Sequence, residues 1–302
     1  MKKIIVTTTI NSPTKALQKF ASMNDWELVV VGDMKTPHEA YEPIRCVYLT
    51  PEEQQKRYPK LSEAIGWNCI QRRNIGFIYA FDHGADVIAT VDDDNIPYRT
   101  WGDNIEQIFS EGATTRIYES STTVADPFSV TTYPNLWHRG FPIEMISQRS
   151  VEHVCDKQIT PSIYAELWDG DPDVDAICRI ALSPDVKFGI DFKFSFANSV
   201  APFNSQNTWI SRETLKDYFM FPFVGRMDDI WGAYWYQELN QQNPMFGPAS
   251  VYQERNAHNL RLDLVGETMG YSNAFCPVEN KVSSFIPRES MVAYEIYRSY
   301  FE

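Results

Sequence analysis

The residues most able to do chemistry are three consecutive aspartates at positions 92–94, directly after the strand-like run 86–91. Adjacent carboxylates repel one another, whereas a hard cation such as Mn²⁺ or Mg²⁺ takes oxygen ligands and often keeps positions for substrate phosphates. Acidic groups at the carboxyl end of a strand also lie where α/β folds bind ligands. The triplet indicates a metal–diphosphate site, although a solvated acidic turn closed by Asn95 and Pro97 explains the same residues.

Polar residues also follow the first two strands that the sequence predicts. Thr7 and Thr8 end the β-branched run 3–8, and Asp33 follows the run 26–31. In a parallel sheet these strand ends share one edge with the acidic triplet. A carboxylate at Asp33 is suited to accept the imide N–H of uracil, and the alternative is an ordinary turn residue.

Two arginines, Arg72 and Arg73, open a predicted helix that leads into the acidic strand. Guanidinium groups at this place are suited to bind a diphosphate or to hold the triplet in position. The alternative is a solvated basic turn that pairs with ordinary surface acids. Gly76, in the same predicted helix, would let the helix approach the sheet closely.

Charged residues in the second half of the chain supply further candidates. Arg139 is able to bind phosphate or sugar, or belongs to a structural loop. Asp228 and Asp229 begin a predicted helix, where a carboxylate is able to deprotonate an acceptor hydroxyl or simply to cap the helix. His258 would complete a metal site, or is an exposed loop histidine.

The segment 168–175 places four acids next to Trp168 in a stretch rich in turn residues. Its spacing lacks the distal glutamate of a calcium-binding EF-hand loop. We therefore interpret it as a structural turn or as a contact for an acceptor sugar, whose C–H face stacks on an aromatic ring.

Composition narrows the class of protein. The chain has 302 residues, of which 43% are hydrophobic and 14% aromatic, so an ordered globular protein is expected. A net charge of -13 argues against nucleic acid as a partner. The five cysteines form no CxxC pair, which indicates reduced thiols. No apolar stretch reaches the ~18 residues of a membrane span and no signal peptide is recognisable, so we expect a soluble, cytoplasmic protein or a soluble domain of a longer one.

Strands and helices alternate through the first hundred residues, which predicts βαβ units and a largely parallel sheet. The segment 120–133, rich in Ser, Thr and Pro, is expected to wind across the surface. The strands are predicted over residues 3–8, 26–31, 46–49, 86–91, 192–200 and 207–210. The helices are predicted over residues 15–23, 54–65 with a break at Pro59, 69–83, 101–109, 228–240 and 291–301.

Several of these segments, taken in order, resemble the STELLO-type glycosyltransferase-like domains. Among them are Asp-Asp-Asp-Asn at 92–95, Arg-Gly-Phe-Pro at 139–142 and Arg-Met-Asp-Asp-Ile-Trp at 226–231. The resemblance covers most of the chain and extends to residues 6–10, 13–14, 26–37, 73–77, 171–177, 202–208 and 255–259. It implies an α/β fold of the glycosyltransferase-A type, Rossmann-like, with a mixed, mainly parallel central sheet.

A more distant resemblance is to the reversibly glycosylated polypeptides, the plant UDP-arabinopyranose mutases. These share the aspartate triplet, an Arg-Gly-aromatic-Pro segment and an Arg-x-Asp-Asp-aliphatic-Trp segment. The arginine linked to their reversible self-glycosylation would correspond to Arg139. This chain departs from the mutases at Asn95, where they have Cys, and at Ile146, which matches a second mutase arginine.

The resemblance implies one domain, 1–302, with a nucleotide-sugar-binding half at 1–110 and an acceptor-side half at 111–302. It implies a metal-dependent transferase with a UDP-sugar donor and a glycan or other acceptor; an oligomer is possible. The alternatives are a UDP-sugar mutase that acts through Arg139 with reversible self-glycosylation, and a non-catalytic nucleotide-sugar-binding protein.

The same resemblance assigns roles to the candidate residues. Asp94 would bind Mn²⁺ or Mg²⁺ together with Asp92 and His258. Asp228 or Asp229 would act as the base or orient the acceptor, and Arg139 is the third catalytic candidate. Donor contacts would come from Asp92 to the ribose, Asp33 to the uracil and Arg73 to the diphosphate, with Thr7, Thr8, Asn74 and Asp93 completing the set. Within the triplet, Asp93 faces away from its neighbours if strand geometry persists, which favours a structural role.

Overall fold

Strands from both halves of the chain join one sheet in the computed structural model, which describes residues 1–254, 259–272 and 281–302. The strands are β1 (Lys3–Thr9), β2 (Glu27–Gly32), β3 (Val47–Leu49), β4 (Val87–Val91), β5 (Asn95–Pro97), β6 (Ala113–Ser120), β7 (Val151–Ile159), β8 (Ile163–Gly170), β9 (Lys193–Phe196), β10 (Asn207–Ser211) and β11 (Met245–Gln253). The helices are α1 (Lys15–Ala21), α2 (Pro51–Arg57), α3 (Pro59–Ile65), α4 (Arg73–Asp82), α5 (Ile105–Glu111), α6 (Ala176–Leu182), α7 (Asp228–Asn240), α8 (Leu260–Ser272) and α9 (Arg288–Arg298).

The strand order is β3-β2-β1-β4-β10-β8-β11-β9-β6-β7, and the short β5 pairs with β11. The first four strands of this order are parallel to one another. Strand β10 runs antiparallel to both β4 and β8 and so joins the two halves of the sheet. The predicted α/β class with a mixed central sheet is confirmed.

Helix α4 packs on β1 and β2 at a place where no side chain fits between them. A Cβ atom on Gly76 would lie 2.3 Å from Cγ1 of Val6 and 2.9 Å from Cγ2 of Val31. The five residues of β4 are all buried, as expected for a strand covered on both faces. This close packing fixes the start of α4, which carries Arg73, on β1, the strand that pairs with β4. The acidic triplet follows β4.

The segment 120–133 is a correction, because its central part is buried rather than spread over the surface. Val124 and Phe128 have no exposed surface. The buried carboxylate of Asp126 accepts a bond from Arg149 Nη1 at 2.7 Å and one from the Phe128 amide at 3.0 Å. Internal partners of this kind allow a polar segment to enter a core.

Trp168 is a second correction, because it belongs to β8 and is only 2% exposed. Its ring packs against Phe128 and His138. Burial removes it as a stacking surface for a sugar. Within the described ranges, no helix is both long and apolar enough to cross a membrane.

Candidate functional site

The acidic triplet stands between two adjoining cavities, of about 300 Å³ and about 280 Å³. Ile70, Asp92 and Asp94 line both of them. The remaining walls of the first cavity come from Thr8, Thr9, Ile10, Asn11, Asn68, Cys69, Arg73 and Asp93. The remaining walls of the second cavity come from Arg139, Asp173, Gln206, Arg226, Asp228, Asp229 and Gln253.

Asp93 anchors the triplet to the end of β1. Its Oδ2 accepts hydrogen bonds from Thr9 Oγ1 at 2.5 Å and from Asn11 Nδ2 at 2.9 Å. Its carbonyl oxygen accepts a bond from the hydroxyl of Thr14, which also caps α1 by accepting from the Leu17 amide at 3.2 Å. Burial raises the pKa of Asp93, and the bonds from Thr9 and Asn11 oppose that rise.

Arg73 forms an ion pair with Asp92, the first residue of the triplet. Its Nη2 lies 2.6 Å from Asp92 Oδ1, and its Nη1 donates to the Ser205 carbonyl at 2.9 Å. The side chain of Arg73 is buried, whereas that of Asp92 remains 18% exposed. Arg73 is therefore not part of a solvated basic turn, and its charge fixes the direction of Asp92.

Arg72 points elsewhere and has a structural role. Its Nε donates to Gln54 Oε1 at 2.9 Å, and its guanidinium lies 3.7 Å from the centre of the Trp67 ring. Burial lowers the pKa of Arg72 to about 10. Only one of the two adjacent arginines therefore reaches the triplet.

Some of the predicted donor-binding residues line the first cavity, and others are buried behind its wall. Thr8 lines the first cavity and donates its hydroxyl to the Val31 carbonyl at 2.8 Å. Thr7 is fully buried. Asp33 is also buried, and its carboxylate accepts the amides of Met34 at 2.7 Å and Cys69 at 3.0 Å. Asp33 thus braces the wall formed by Cys69 without lining the cavity.

Of the two remaining predicted residues, Asn74 does not line either cavity. The side chain of Asn74 is buried and clamps Met220, because Nδ2 donates to the Met220 carbonyl at 2.9 Å and Oδ1 accepts its amide at 3.0 Å. His258 lies outside the described residues. Sequence reasoning missed Asn11, Asn68 and Gln206 as lining residues, and the turn before α4 was the available signal for Asn68.

The second cavity contains a buried guanidinium whose nitrogen atoms all have partners. Arg139 Nε and Nη2 bind the two carboxylate oxygens of Asp173 at 2.8 and 2.9 Å. Nη2 also donates to Asp229 Oδ1 at 3.0 Å, and Nη1 donates to the Arg226 carbonyl. Burial alone would lower the pKa of Arg139, but Asp173 and Asp229 outweigh it and raise the pKa.

Asp228 and Asp229, at the start of α7, differ in protonation although they are adjacent. Burial and the charge of Asp229 raise the pKa of Asp228 to about 8. Burial would also raise the pKa of Asp229, but the nearby Arg139 outweighs it and the pKa is lowered. Gln71 Nε2 lies 3.0 Å from Asp228 Oδ2, and the Ser205 amide donates to Asp229 Oδ2 at 3.0 Å. At neutral pH the pair holds one proton, on Asp228.

The donor groups at the triplet fit a hard divalent cation that shares its coordination with phosphates. In the described ranges, no three His, Cys, Asp or Glu side chains are grouped closely enough to hold a metal by themselves. Asp94 faces both cavities, and Asp92 is partly exposed. A magnesium-type ion needs only one or two carboxylates, because substrate phosphates and water complete its shell. Asp94 is the better ligand, since Asp92 is paired with Arg73.

Comparisons with solved structures return matches of low identity, each with a TM-score below 0.5. Glucosyl-3-phosphoglycerate synthase of M. tuberculosis has a TM-score of 0.49 and 11% identity, covering 90% of this chain and 80% of that one. S. aureus TarS 1–349 in complex with UDP-GlcNAc has a TM-score of 0.45 and 12% identity, covering 100% and 90%. The mannosyltransferase PcManGT from Pyrobaculum calidifontis, in complex with GDP-Man and Mn²⁺, has a TM-score of 0.44 and 10% identity, covering 99% and 73%.

Comparison with curated proteins returns the family that the sequence motifs resemble. No protein-family model matches the chain. The probable glycosyltransferases STELLO1 and STELLO2 of Arabidopsis thaliana are each 22% identical to it over 258 residues, which is 79% of this chain. The match spans 33% of each relative, about a third of its length. The resemblance that the motifs predict is confirmed: this chain is similar, over most of its length, to the STELLO-type glycosyltransferases.

Proposed function

We propose that this protein is a metal-dependent glycosyltransferase of the glycosyltransferase-A type that uses a UDP-sugar donor. One observation carries the proposal: the acidic triplet forms the wall shared by two adjoining cavities. A donor in the first cavity would place its diphosphate at the triplet and its sugar toward the second. The similarity to probable glycosyltransferases supports the same class of enzyme.

In the donor complex, Asp94 would bind the metal and Asp92 would bind the ribose. Arg73 would keep the carboxylate of Asp92 in place through its ion pair. The bound Mn²⁺ or Mg²⁺ would act as a Lewis acid and neutralise the departing diphosphate. Asp93 would keep the triplet on the end of β1 through Thr9. The roles of Arg73 and Asp93 use contacts that exist before the donor binds, which is the preorganisation that such a site requires.

In the transfer step, Asp228 is the proposed base. It lines the second cavity together with Asp92 and Asp94. Because its pKa is about 8, the ionised form that acts as a base is the minor form at neutral pH and grows as the pH rises toward 8. Asp229 would stay ionised and hold Ser205 in place, because Arg139 neutralises it.

The contacts of Arg139 favour a transferase over a mutase. A glycosylated arginine must present a free nitrogen atom to the anomeric carbon, whereas Nε, Nη1 and Nη2 of Arg139 all donate to acceptors within the protein. We therefore propose that Arg139 is a positioning residue that sets the charges of Asp228 and Asp229.

The test measures UDP affinity by calorimetry with and without Mn²⁺ in wild type and Asp94→Ala. We expect Mn²⁺ to tighten UDP binding in wild type and to lose that effect in the variant. Asp103→Ala is the matched control, because Asp103 is exposed and lies outside both cavities. Unchanged Mn²⁺-dependent affinity in Asp94→Ala would remove the metal assignment.

Radiolabelled UDP-sugars then separate the reaction classes. Label that moves to an added acceptor supports the transferase. Label that stays covalently on the protein and is lost in Arg139→Ala supports the mutase, and UDP binding without hydrolysis or transfer of any donor supports a non-catalytic binding protein.

A further inference from the structure

The second cavity differs from the first in that its charged groups are already matched to one another. We propose that it is an acceptor subsite for an uncharged polyhydroxyl compound, a sugar without phosphate or carboxylate groups, with Gln206 as a binding residue. This inference rests on the proposed function, because it names the acceptor class for the same site.

Gln206 is the first observation. Its side chain lines the second cavity and is 6% exposed, and its buried Oε1 has no hydrogen-bond partner within the described part of the chain. The backbone is held in place, because the Gln206 carbonyl accepts the amide of Asp92 at 3.3 Å and Nδ2 of Asn95 at 2.9 Å. A buried amide oxygen without a donor is costly. A rotation of the side chain toward the cavity would let a ligand hydroxyl supply that donor.

The arginines are the second observation. Arg139 is bound by Asp173 and Asp229, as described above. Arg226 pairs with Asp263 at 3.2 Å and with Glu267 at 3.1 Å. Recognition of a phosphate or carboxylate commonly uses a guanidinium whose paired N–H groups are free to donate. Among the described residues, each arginine that lines this cavity already pairs with two carboxylates.

The charged residues at this cavity carry more negative than positive charge. Four ionised aspartates and the protonated Asp228 line it together with two arginines. One of these arginines, Arg226, is already matched by Asp263 and Glu267. A bound metal would offset only the two aspartates of the triplet. An anionic acceptor would therefore enter against like charge and find no free cation in the described wall. A neutral hydroxyl compound is not repelled by the negative charge and needs no cation as a partner. Its hydroxyl groups are able to donate hydrogen bonds to the carboxylates and to Gln206.

The transfer step balances with such an acceptor. The acceptor oxygen forms a bond to the anomeric carbon of the donor sugar, while the bond from that carbon to the β-phosphate oxygen breaks. The bonding pair leaves with UDP. The acceptor hydroxyl proton passes to Asp228 in its ionised form, which lines the cavity and becomes protonated in the step.

Three sugars that share one ring but differ in charge test the proposal: glucose, glucosamine and glucuronate. Binding of each is measured by saturation-transfer NMR on the whole chain with UDP and Mn²⁺ present. We expect glucose to bind and glucuronate to bind at least about tenfold more weakly, which corresponds to one unmatched charge. Equal binding of glucose and glucuronate, binding of glucosamine alone, or no binding of any of the three overturns the proposal.

Gln206→Leu tests the role of the amide. We expect about a tenfold loss of glucose affinity, the effect of one hydrogen bond to a buried group, with UDP affinity unchanged. Gln148→Leu is the matched control, because Gln148 is exposed and outside both cavities. Unchanged glucose binding in Gln206→Leu overturns the assignment of Gln206.

The two proposals fail differently. Loss of Mn²⁺-dependent UDP binding in wild type removes the proposed function. Intact UDP binding together with a preference for glucuronate removes only the acceptor class.

Discussion

Replacement of Asp228 by Asn should change how stability depends on pH. The folded protein keeps a proton on Asp228 up to about pH 8, whereas the unfolded chain releases it near pH 4. Between these values the folded state binds more protons, so the free energy of unfolding falls as pH rises, by about 1.4 kcal/mol per pH unit. Asp228→Asn lacks this contribution. Its stability relative to wild type should therefore rise by about 4 kcal/mol between pH 5 and pH 8.

The geometry makes Asn a suitable probe. Its Oδ1 is able to accept the Asp229 amide, as the Asp228 carboxylate does at 2.8 Å. The amide of Gln71 would flip to meet the new Nδ2 and would give up its 3.4 Å bond to the Phe221 carbonyl at every pH.

The assay is urea unfolding of both proteins at pH 5, 6, 7 and 8, because other titrating groups cancel in the difference. Asp103→Asn, at an exposed site, should follow wild type at every pH. Asp229→Asn removes the second cause of the shift and should make the wild-type dependence shallower. Parallel stability curves for wild type and Asp228→Asn would refute the reasoning.

Two further substitutions test the packing around the site. Arg139→Met leaves Asp173 and Asp229 buried without a cation, so we expect a loss of about 3–5 kcal/mol in urea unfolding; a loss below about 1 kcal/mol would show that the network is not charged as described. Gly76→Ala places a methyl group 2.3 Å from Val6 Cγ1 and should cost about 1–3 kcal/mol. Val6→Ala should recover part of that loss in a double-mutant cycle, and additive effects would contradict the contact.

Elements with strong local patterns could be predicted from the sequence. Helix α7 begins at Asp228 and ends at Asn240, as predicted, because two acids suit the first turn and apolar residues follow at helical spacing. Strands β1, β2 and β4 are runs rich in β-branched residues and are buried, so their sequences are distinctive. These elements carry the triplet, Thr8 and the acids of α7.

Elements with polar sequences on both faces could not be predicted. Strand β7 is largely polar and exposed, and its half-buried residues recur only at Val151, Cys155 and Ile159, so it lacks the alternation that marks a strand. The protonation states of Asp228 and Asp229 also could not be predicted from the sequence. It depends on Arg139, which is about 90 positions away in the chain and meets Asp229 only in the folded protein.

The Arg-Gly-Phe-Pro and Arg-Met-Asp-Asp-Ile-Trp segments form one packed unit, which explains why the sequence alone left two uses of Arg139 open. Gly140 has φ of 86°, and a Cβ atom there would lie 2.2 Å from Cγ2 of Ile230. The glycine therefore lets the Arg139 loop rest on α7, where Arg139 reaches Asp229. The presence of both segments specifies that contact, and the contact occupies the guanidinium. A mutase would have to break it before Arg139 could react, whereas a transferase uses it as it stands.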